Sequence, residues 1–192
     1  GGIIANCKMN YPGSLNVENA IGAAALAGFA GASADAIKAG LEKYEGVVRR
    51  FDVRYKSGNQ IYIDDYAHHP EELKAFISSV RELYPKRKIT GVFQPHLYSR
   101  TRDFAAEFAE SLDLLDKAIL LPLYPAREEP MEGVSSEIIF NKMRLKSKSL
   151  ATKSESLQII KKDTSDILLT MGAGDIDQIA NDIIEILKSK TE

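Results

Sequence analysis

The spacing of apolar residues changes along the chain from a helical pattern to one of alternating strands and helices. Residues 16–29 (NVENAIGAAALAGF) predict a helix that is apolar on most sides, with Asn16 as its N-cap. Residues 33–44 predict a second helix, which Ser33 caps. Because a helix with so little polar surface must pack closely against something, residues 1–44 are interpreted as the end of a neighbouring domain.

From Phe51 the apolar residues recur at every second position, which is the spacing of a β-strand. Gly58 and Asn59 predict a hairpin turn into a returning strand over 60–66. Apolar strands then alternate with helices. The predicted strands are 88–93, 118–123 and 166–171, and the predicted helices are 70–84, 101–115, 135–143, 154–162 and 175–188. The Lys-rich stretch 142–153 is interpreted as a solvated loop or surface.

Strands that alternate with helices form a mostly parallel sheet covered on both faces. Residues 45–192 therefore predict an α/β domain: a Rossmann-like, mostly parallel sheet with helices on both faces and an antiparallel edge hairpin, preceded by the two helices. In such sheets ligands bind beyond the carboxyl ends of the strands, so candidate functional residues are expected there.

The composition and charge of the chain exclude several classes of protein and of binding partner. The 192 residues are 44% hydrophobic and 27% charged, which excludes a disordered chain. The net charge of −2 gives no reason to expect nucleic acid as a partner, and no apolar run is long enough to predict a membrane span. Cys7 is the single cysteine, so we expect no internal disulfide and a reducing, cytoplasmic setting. The start at Gly1, without Met, is interpreted as the remnant of a cleaved tag or as a cut within a longer gene.

Three predicted strand ends carry residues suited to binding or catalysis. Residues 64–70 (DDYAHHP) offer two carboxylates and two imidazoles, and residues 94–102 (QPHLYSRTR) offer an imidazole, hydroxyls and two guanidinium groups. Carboxylates bind ribose hydroxyls or ammonium groups, imidazoles exchange protons near neutral pH, and guanidinium groups bind carboxylates or phosphates. The third end, 172–175 (GAGD), is a weaker signal, because a plain turn with Asp175 as N-cap explains it equally well.

The histidines concentrate at the first two of these strand ends. His68, His69 and His96 are the three histidines of the chain, and their clustering favours a functional site over scattered surface residues. Arg49 and Arg50, at the predicted domain junction, fit either a phosphate clamp or plain surface charge. A metal hydrolase that uses the histidines is a weak alternative, because no HxH or HExxH spacing occurs.

Five segments, in this order and spacing, carry a resemblance: GVVRRF, DDYAHHP, VFQPHLYSRTRDF, LYPAREEP and MGAGDI. Together they resemble the Mur ligase family, and within it the ligases that add L-alanine to UDP-N-acetylmuramate. The resemblance implies that residues 1–44 are the last helices of the central, ATP-binding domain. Residues 45–192 would then be the C-terminal, Rossmann-like, amino-acid-binding domain.

The implied activity is ATP-dependent amide formation through an acyl phosphate, in the synthesis of peptidoglycan precursors. The partners of the full-length enzyme would be UDP-N-acetylmuramate, L-alanine and ATP, with no nucleic acid and no membrane. ATP and Mg²⁺ would be bound mainly by the central domain, since no phosphate loop of the GxxxxGK type occurs in these 192 residues. This part of the enzyme is therefore expected to be inactive alone.

The resemblance also implies roles for residues at matching positions. The residues expected at ATP are Asn16 and Asn19 near the adenine, Arg50 near the phosphates, Asp65 at the ribose and Tyr66 beside the nucleotide. The residues expected at the amino acid are His68, His69, His96, Arg100 and Asp175, of which His68 and Arg100 are expected to be catalytic. Leu15 and Leu97 stand where the family often has His and Arg. No residue is expected to ligate a metal.

Two alternatives stay open at this point. The chain could belong to a murein peptide ligase, which shares the AHHP segment but differs in the later motif. It could also be a self-standing nucleotide- or anion-binding Rossmann-like module without catalysis, which would use the glycine turn at 172–174 and the paired arginines.

Overall fold

The computed structural model describes residues 4, 6–9, 11–58 and 60–190, apart from the side chains of Ser14 and Leu15. The chain divides into two compact units, Gly1–Val48 and Arg49–Glu192. The domain boundary predicted from the sequence lies at 44/45, and the assignment of residues 1–44 to an ATP-binding domain stays a prediction. Asn59 of the predicted hairpin turn lies outside the described residues.

The first unit contains two helices, α1 (Ser14–Phe29) and α2 (Ala34–Lys43). Ser33 caps α2 as predicted, because its hydroxyl oxygen accepts a hydrogen bond from the backbone N–H of Ala36 at 3.2 Å. Among the described side chains of α1, the large apolar residues exposed to solvent are Val17, Ile21, Leu26 and Phe29.

The start of α1 corrects the prediction that Asn16 is its N-cap. Gly13 is the N-cap, and Asn16 lies in the first turn with its backbone N–H donating to the Gly13 carbonyl at 3.1 Å. The side-chain amide of Asn16 donates to the Pro12 carbonyl at 2.6 Å. Gly13 adopts a φ of 104°, which a residue with a Cβ rarely takes, so the chain turns into the helix at this glycine.

The second unit is built on a sheet of six strands. They are β1 (Asp52–Ser57), β2 (Gln60–Asp65), β3 (Ile89–Phe93), β4 (Lys117–Leu120), β5 (Lys148–Leu150) and β6 (Ile167–Met171). Their order across the sheet is β1-β2-β6-β3-β4-β5, with β1 and β2 antiparallel and all other neighbours parallel. The predicted mostly parallel α/β sheet with an antiparallel edge hairpin is therefore confirmed.

Helices flank this sheet in two groups. The helices are α3 (Pro70–Leu83), α4 (Tyr98–Asp103), α5 (Ala105–Leu112), α6 (Ser136–Lys142), α7 (Lys153–Lys162) and α8 (Ala180–Ser189). Helix α5 packs on α3 and α6, while α7 packs on α8. The core on the α7 and α8 side includes Tyr62 of β2, Leu168 of β6 and Val92 of β3. These three strands are neighbours, and the three side chains point to the same face of the sheet. On the other side, the ring of Phe93 packs on that of Phe108 in α5, with centroids 5.4 Å apart.

Strand β5 corrects the interpretation of residues 142–153 as a solvated loop or surface. It pairs in parallel with β4 at the edge of the sheet. The ammonium of Lys148 is partly buried and donates to the carbonyls of Phe140 and Met143, at 2.7 and 2.6 Å. Lysines are common on edge strands and at helix C-termini. A lysine-rich segment can therefore contain a strand, and the prediction of a solvated loop overlooked this one.

Two predicted helices also differ from the structure. The helix predicted over 101–115 is divided at Phe104 into α4 and α5, and α4 begins earlier, at Tyr98. The helix predicted over 175–188 begins as a short 3₁₀ turn (Ile176–Ile179). Asp175 stands at the predicted N-cap position, and its carbonyl accepts the backbone N–H of Gln178 at 3.2 Å, but its side chain makes no capping hydrogen bond.

Candidate functional site

The three predicted strand ends lie side by side in the structure. Strand β6 lies between β2 and β3 although it comes last in the sequence. In register, Asp65 at the end of β2 is opposite Met171 of β6, which is opposite Phe93 of β3. The segments that follow these strands therefore leave the sheet at one edge, where ligands bind in this class of fold.

Asp65 supports the backbone at this edge. One carboxylate oxygen accepts the backbone N–H of Phe51 at 2.7 Å, and the other accepts that of Ala67 at 2.8 Å. Burial raises the pKa of Asp65 to about 6, against the lowering effect of these two hydrogen bonds. The residue predicted at the ATP ribose therefore also ties the segment around Phe51 to the end of β2.

Asp64, beside it, belongs to a buried polar chain. The Thr170 hydroxyl donates to its carboxylate, and the Tyr62 hydroxyl lies 2.9 Å from the Thr170 oxygen. Burial raises the pKa of Asp64, whose side chain is only 1% exposed. The guanidinium of Arg49 approaches the same carboxylate, with Nε 3.4 Å from an Asp64 oxygen.

The two adjacent arginines have different surroundings. Arg49 donates to the carbonyls of Gly172 and Gly174 at 2.5 and 3.5 Å, so its charge holds the glycine turn and Asp64 together. Arg50 is exposed, and its guanidinium carbon lies 5.4 Å from the centre of the Tyr66 ring. Only Arg50, the one predicted at the phosphates, leaves its guanidinium in solvent where an anion can reach it.

His68 lies next to Tyr66 with its two ring nitrogens in different environments. Its Nδ1 is 3.0 Å from the Tyr66 carbonyl and 3.3 Å from the Glu72 carboxylate. Both are acceptors, so in the neutral ring Nδ1 carries the proton and Nε2 is left as an acceptor. Glu72 is fixed by the backbone N–H groups of His68 and His69, at 2.9 and 3.2 Å, and these contacts outweigh burial and hold its pKa below the usual range.

His96 and Arg100 face each other on the segment after β3. The Arg100 Nη1 is 3.4 Å from Nδ1 of His96, and because a guanidinium only donates, Nδ1 accepts and Nε2 carries the proton. Burial, together with the charge of Arg100, lowers the pKa of His96, which favours the neutral ring at pH 7. The His68 and His96 ring centroids are 5.9 Å apart.

Two residues predicted at the amino acid have protein partners of their own. The His69 ring packs on Phe104, with centroids 4.9 Å apart. Asp175 accepts from the Gln94 amide at 2.8 Å and pairs with the Lys153 ammonium at 2.6 Å. These two partners outweigh partial burial and lower the pKa of Asp175. The ligand contacts predicted for His69 and Asp175 stay predictions. Both side chains contact other residues at this edge of the sheet.

Asn16 and Asn19, predicted at the adenine, lie on α1 in the first unit. There they border a groove between α1 and α2 whose lining includes six alanines. Leu15, beside Asn16, has its side chain outside the described part of the chain. Among the described residues no group of three or more His, Cys, Asp or Glu could hold a metal ion. Within the same residues, no helix is long and apolar enough to cross a membrane.

Several residues that shape this edge of the sheet were not predicted from the sequence. Arg49 was given no role separate from the pair of arginines, although it contacts Asp64 and the Gly172 carbonyl. Glu128 fixes the start of α4, because its carboxylate accepts from the backbone N–H and the hydroxyl of Ser99. Lys153 comes from a segment with no sequence signal, whereas Gln94 and Tyr124 follow predicted strands and could have been found there.

Comparison with known proteins identifies relatives of this chain. The sequence profile of the Mur ligase, glutamate ligase domain matches residues 49–174. A UDP-N-acetylmuramate–L-alanine ligase of Parabacteroides distasonis is 48% identical over 96% of the chain and 40% of its own length. The corresponding protein of Phocaeicola vulgatus is 46% identical over 98% of the chain and 42% of its own length. The chain thus spans about 40% of the curated relatives that it matches.

Solved structures agree with this relationship. The crystal structure of the UDP-N-acetylmuramate–alanine ligase of Thermotoga maritima superposes with a TM-score of 0.77 at 26% identity, covering 96% of this chain and 40% of that one. A murein peptide ligase of Psychrobacter arcticus gives a TM-score of 0.66 at 21% identity, covering 94% and 38%, which shows the shared fold alone. The chain belongs to the Mur ligase family.

Proposed function

We propose that this chain is the amino-acid-binding part of a longer, cytoplasmic, ATP-dependent ligase that joins L-alanine to UDP-N-acetylmuramate in peptidoglycan precursor synthesis. The observation that carries the proposal is the set of hydrogen-bonding groups at His68, His96 and Arg100. Arg100 and the Nε2–H of His96 are donors for a carboxylate, and the free Nε2 of His68 is an acceptor for an amine. Together they match both ends of a free α-amino acid.

The proposed reaction has two steps. The carboxylate of UDP-N-acetylmuramate attacks the γ-phosphorus of ATP, which forms an acyl phosphate and releases ADP. The amine of alanine then attacks the acyl carbon, loses a proton, and phosphate leaves from the tetrahedral intermediate. Arg100 and His96 would hold the alanine carboxylate while His68 accepts a hydrogen bond or the proton from the amine. Holding the amine in this way removes much of the entropic cost of the second step.

The ATP contacts proposed for this chain are the exposed Arg50 at the phosphates, Tyr66 beside the nucleotide and Asp65 at the ribose. Asn16 and Asn19 are proposed at the adenine. Both Asp65 oxygens already accept backbone N–H groups, so a ribose hydroxyl would use their remaining lone pairs. We assign Mg²⁺ mainly to the ATP-binding part of the ligase outside this chain, because no phosphate loop of the GxxxxGK type occurs in these 192 residues. When bound, Mg²⁺ neutralises charge on the phosphates.

A self-standing anion-binding module is less well supported. That alternative needs the glycine turn at 172–174 to present N–H groups to an anion. In the structure, the carbonyls of Gly172 and Gly174 face the guanidinium of Arg49, which occupies the turn with a cation of the protein itself. The relatives at 48% and 46% identity also favour the alanine ligase over a murein peptide ligase.

A comparison of the full-length protein with residues 1–192 tests the proposal. We expect the full-length protein to release phosphate and form UDP-N-acetylmuramoyl-L-alanine when it receives UDP-N-acetylmuramate, alanine and ATP. The chain alone should give no turnover, since it lacks a phosphate loop. Phosphate release and product formation by mass spectrometry measure both. Turnover by the isolated chain, or a full-length protein that uses no amino acid, would contradict the proposal.

A further inference from the structure

Tyr124, in the segment that follows β4, is held against the segment that carries His96. The backbone N–H of Leu97 donates to the Tyr124 carbonyl at 3.0 Å, and the N–H of Tyr124 donates to the Pro95 carbonyl at 2.8 Å. These two bonds extend the parallel pairing of β3 and β4 beyond the strands. The position of Tyr124 relative to His96 is therefore fixed by the backbone.

The ring of Tyr124 has a neighbour on each side. It stacks on the His96 ring, with centroids 5.8 Å apart and planes 13° from parallel. On the glycine-turn side, a Cβ added to Gly174 would lie 2.8 Å from the Cβ and Cγ of Tyr124, which is closer than such atoms approach. The base of the ring is therefore packed directly on the glycine backbone and cannot withdraw, while the side chain remains partly exposed.

Tyr124 ends a row of four rings along the edge of the sheet. The centroid distances are 5.2 Å from Tyr66 to His68, 5.9 Å from His68 to His96 and 5.8 Å from His96 to Tyr124. Arg50, the proposed phosphate contact, lies over Tyr66 at the opposite end of this row. On the proposed function, the amine of the amino acid points toward that phosphate end. The carboxylate and the side chain of the amino acid then point toward His96, Arg100 and Tyr124.

We propose that Tyr124 determines substrate specificity by limiting the size of the amino-acid side chain. Its ring is held between His96 and Gly174 beside the carboxylate-binding pair, where it would limit the amino-acid side chain to about the size of a methyl group. Rigidity matters here because a wall that can move would accept one more methylene at little cost. The inference rests on the proposed function, since it concerns the side chain of the same amino acid.

The experiment measures kcat/KM of the full-length ligase for L-alanine and for L-2-aminobutyrate, which is one methylene longer. In Tyr124→Ala we expect the ratio of kcat/KM for L-2-aminobutyrate to that for L-alanine to rise about tenfold over the wild type, the lower end of the discrimination usual for one methylene. Tyr124→Phe keeps the ring and should keep the wild-type ratio. Tyr98→Ala is the matched control, because Tyr98 begins α4 outside the row of rings.

Equal losses for both substrates in Tyr124→Ala would overturn the inference, because they would mean that Tyr124 only supports His96. If Tyr124→Ala does not fold, Tyr124→Leu makes a smaller opening, and its ratio should rise about threefold. An unchanged ratio in that folded variant would overturn the inference equally. A wild-type enzyme that forms no amide with any amino acid would instead contradict the proposed function, so the two failures are distinguishable.

Discussion

Replacing Arg100 with methionine in the full-length ligase is expected to raise the KM for L-alanine about a hundredfold, the usual effect of removing one partner of a close charge pair. The KM for ATP should change less than about twofold. The reason is that Arg100 faces His96 and lies apart from Arg50, the proposed phosphate contact. Methionine keeps most of the length of the side chain and its helix propensity, so α4 should be preserved.

Arg102→Met is the matched control for this prediction. Arg102 lies on the same helix, is exposed, and pairs with Asp103 at 2.7 Å rather than with the histidines. Its replacement should leave both KM values within about twofold of the wild type, because exposed ion pairs contribute little. Steady-state phosphate release at varied alanine and at varied ATP gives both values. Equal increases in the two KM values for Arg100→Met would argue against a role at the alanine carboxylate.

The largest effect on stability is expected at Arg49. Arg49→Met removes the cation beside the Asp64 carboxylate and the donor to the glycine carbonyls, which leaves a buried carboxylate without its ion partner. Breaking a buried pair in this way should lower the free energy of unfolding by about 3 kcal/mol. Urea-induced unfolding of the chain, followed by circular dichroism, measures the change.

Two further variants show whether the cause is the buried charge. Arg54→Met removes an arginine from the same region whose partner, Asp52, is more exposed, and it should cost less than about 1 kcal/mol. Adding Asp64→Asn to Arg49→Met should restore part of the stability, since the amide oxygen still accepts from Thr170 and no buried charge remains. An Arg49→Met chain as stable as Arg54→Met would show that the ion pair does not hold this edge together.

The sheet could be predicted from the sequence where the burial pattern of a strand was plain. Strands β2 and β6 are almost entirely buried, and each contains a short apolar run that could be recognised in the sequence. Strand β5 could not be predicted in the same way, because an edge strand of three residues with a lysine has neither the length nor the apolar run. The position of β6 between β2 and β3 is determined by tertiary packing. It could not be predicted from the local pattern of apolar and polar residues.

The location of the candidate site could be predicted from the sequence better than the contacts that its residues make. His68, His96 and Arg100 follow two parallel strands, so their common edge follows from the fold rule for such sheets. The separate surroundings of Arg49 and Arg50 could not be predicted, because one residue of difference decides which guanidinium enters the protein and which stays in solvent. Likewise, the partners of His69 and Asp175 come from segments distant in sequence, Phe104 and Lys153.

The most direct test of the central claim is to remove the carboxylate from the substrate and the guanidinium from the protein in turn. We predict that wild-type full-length ligase prefers L-alanine to L-alaninamide about a hundredfold in kcat/KM, since the amide lacks the charge that Arg100 binds. In Arg100→Met the preference for L-alanine should fall to within about fivefold. Without the guanidinium, the carboxylate of L-alanine has no positive partner, so replacing it with an amide costs little. An Arg100→Met enzyme that keeps the full preference for L-alanine would contradict the account.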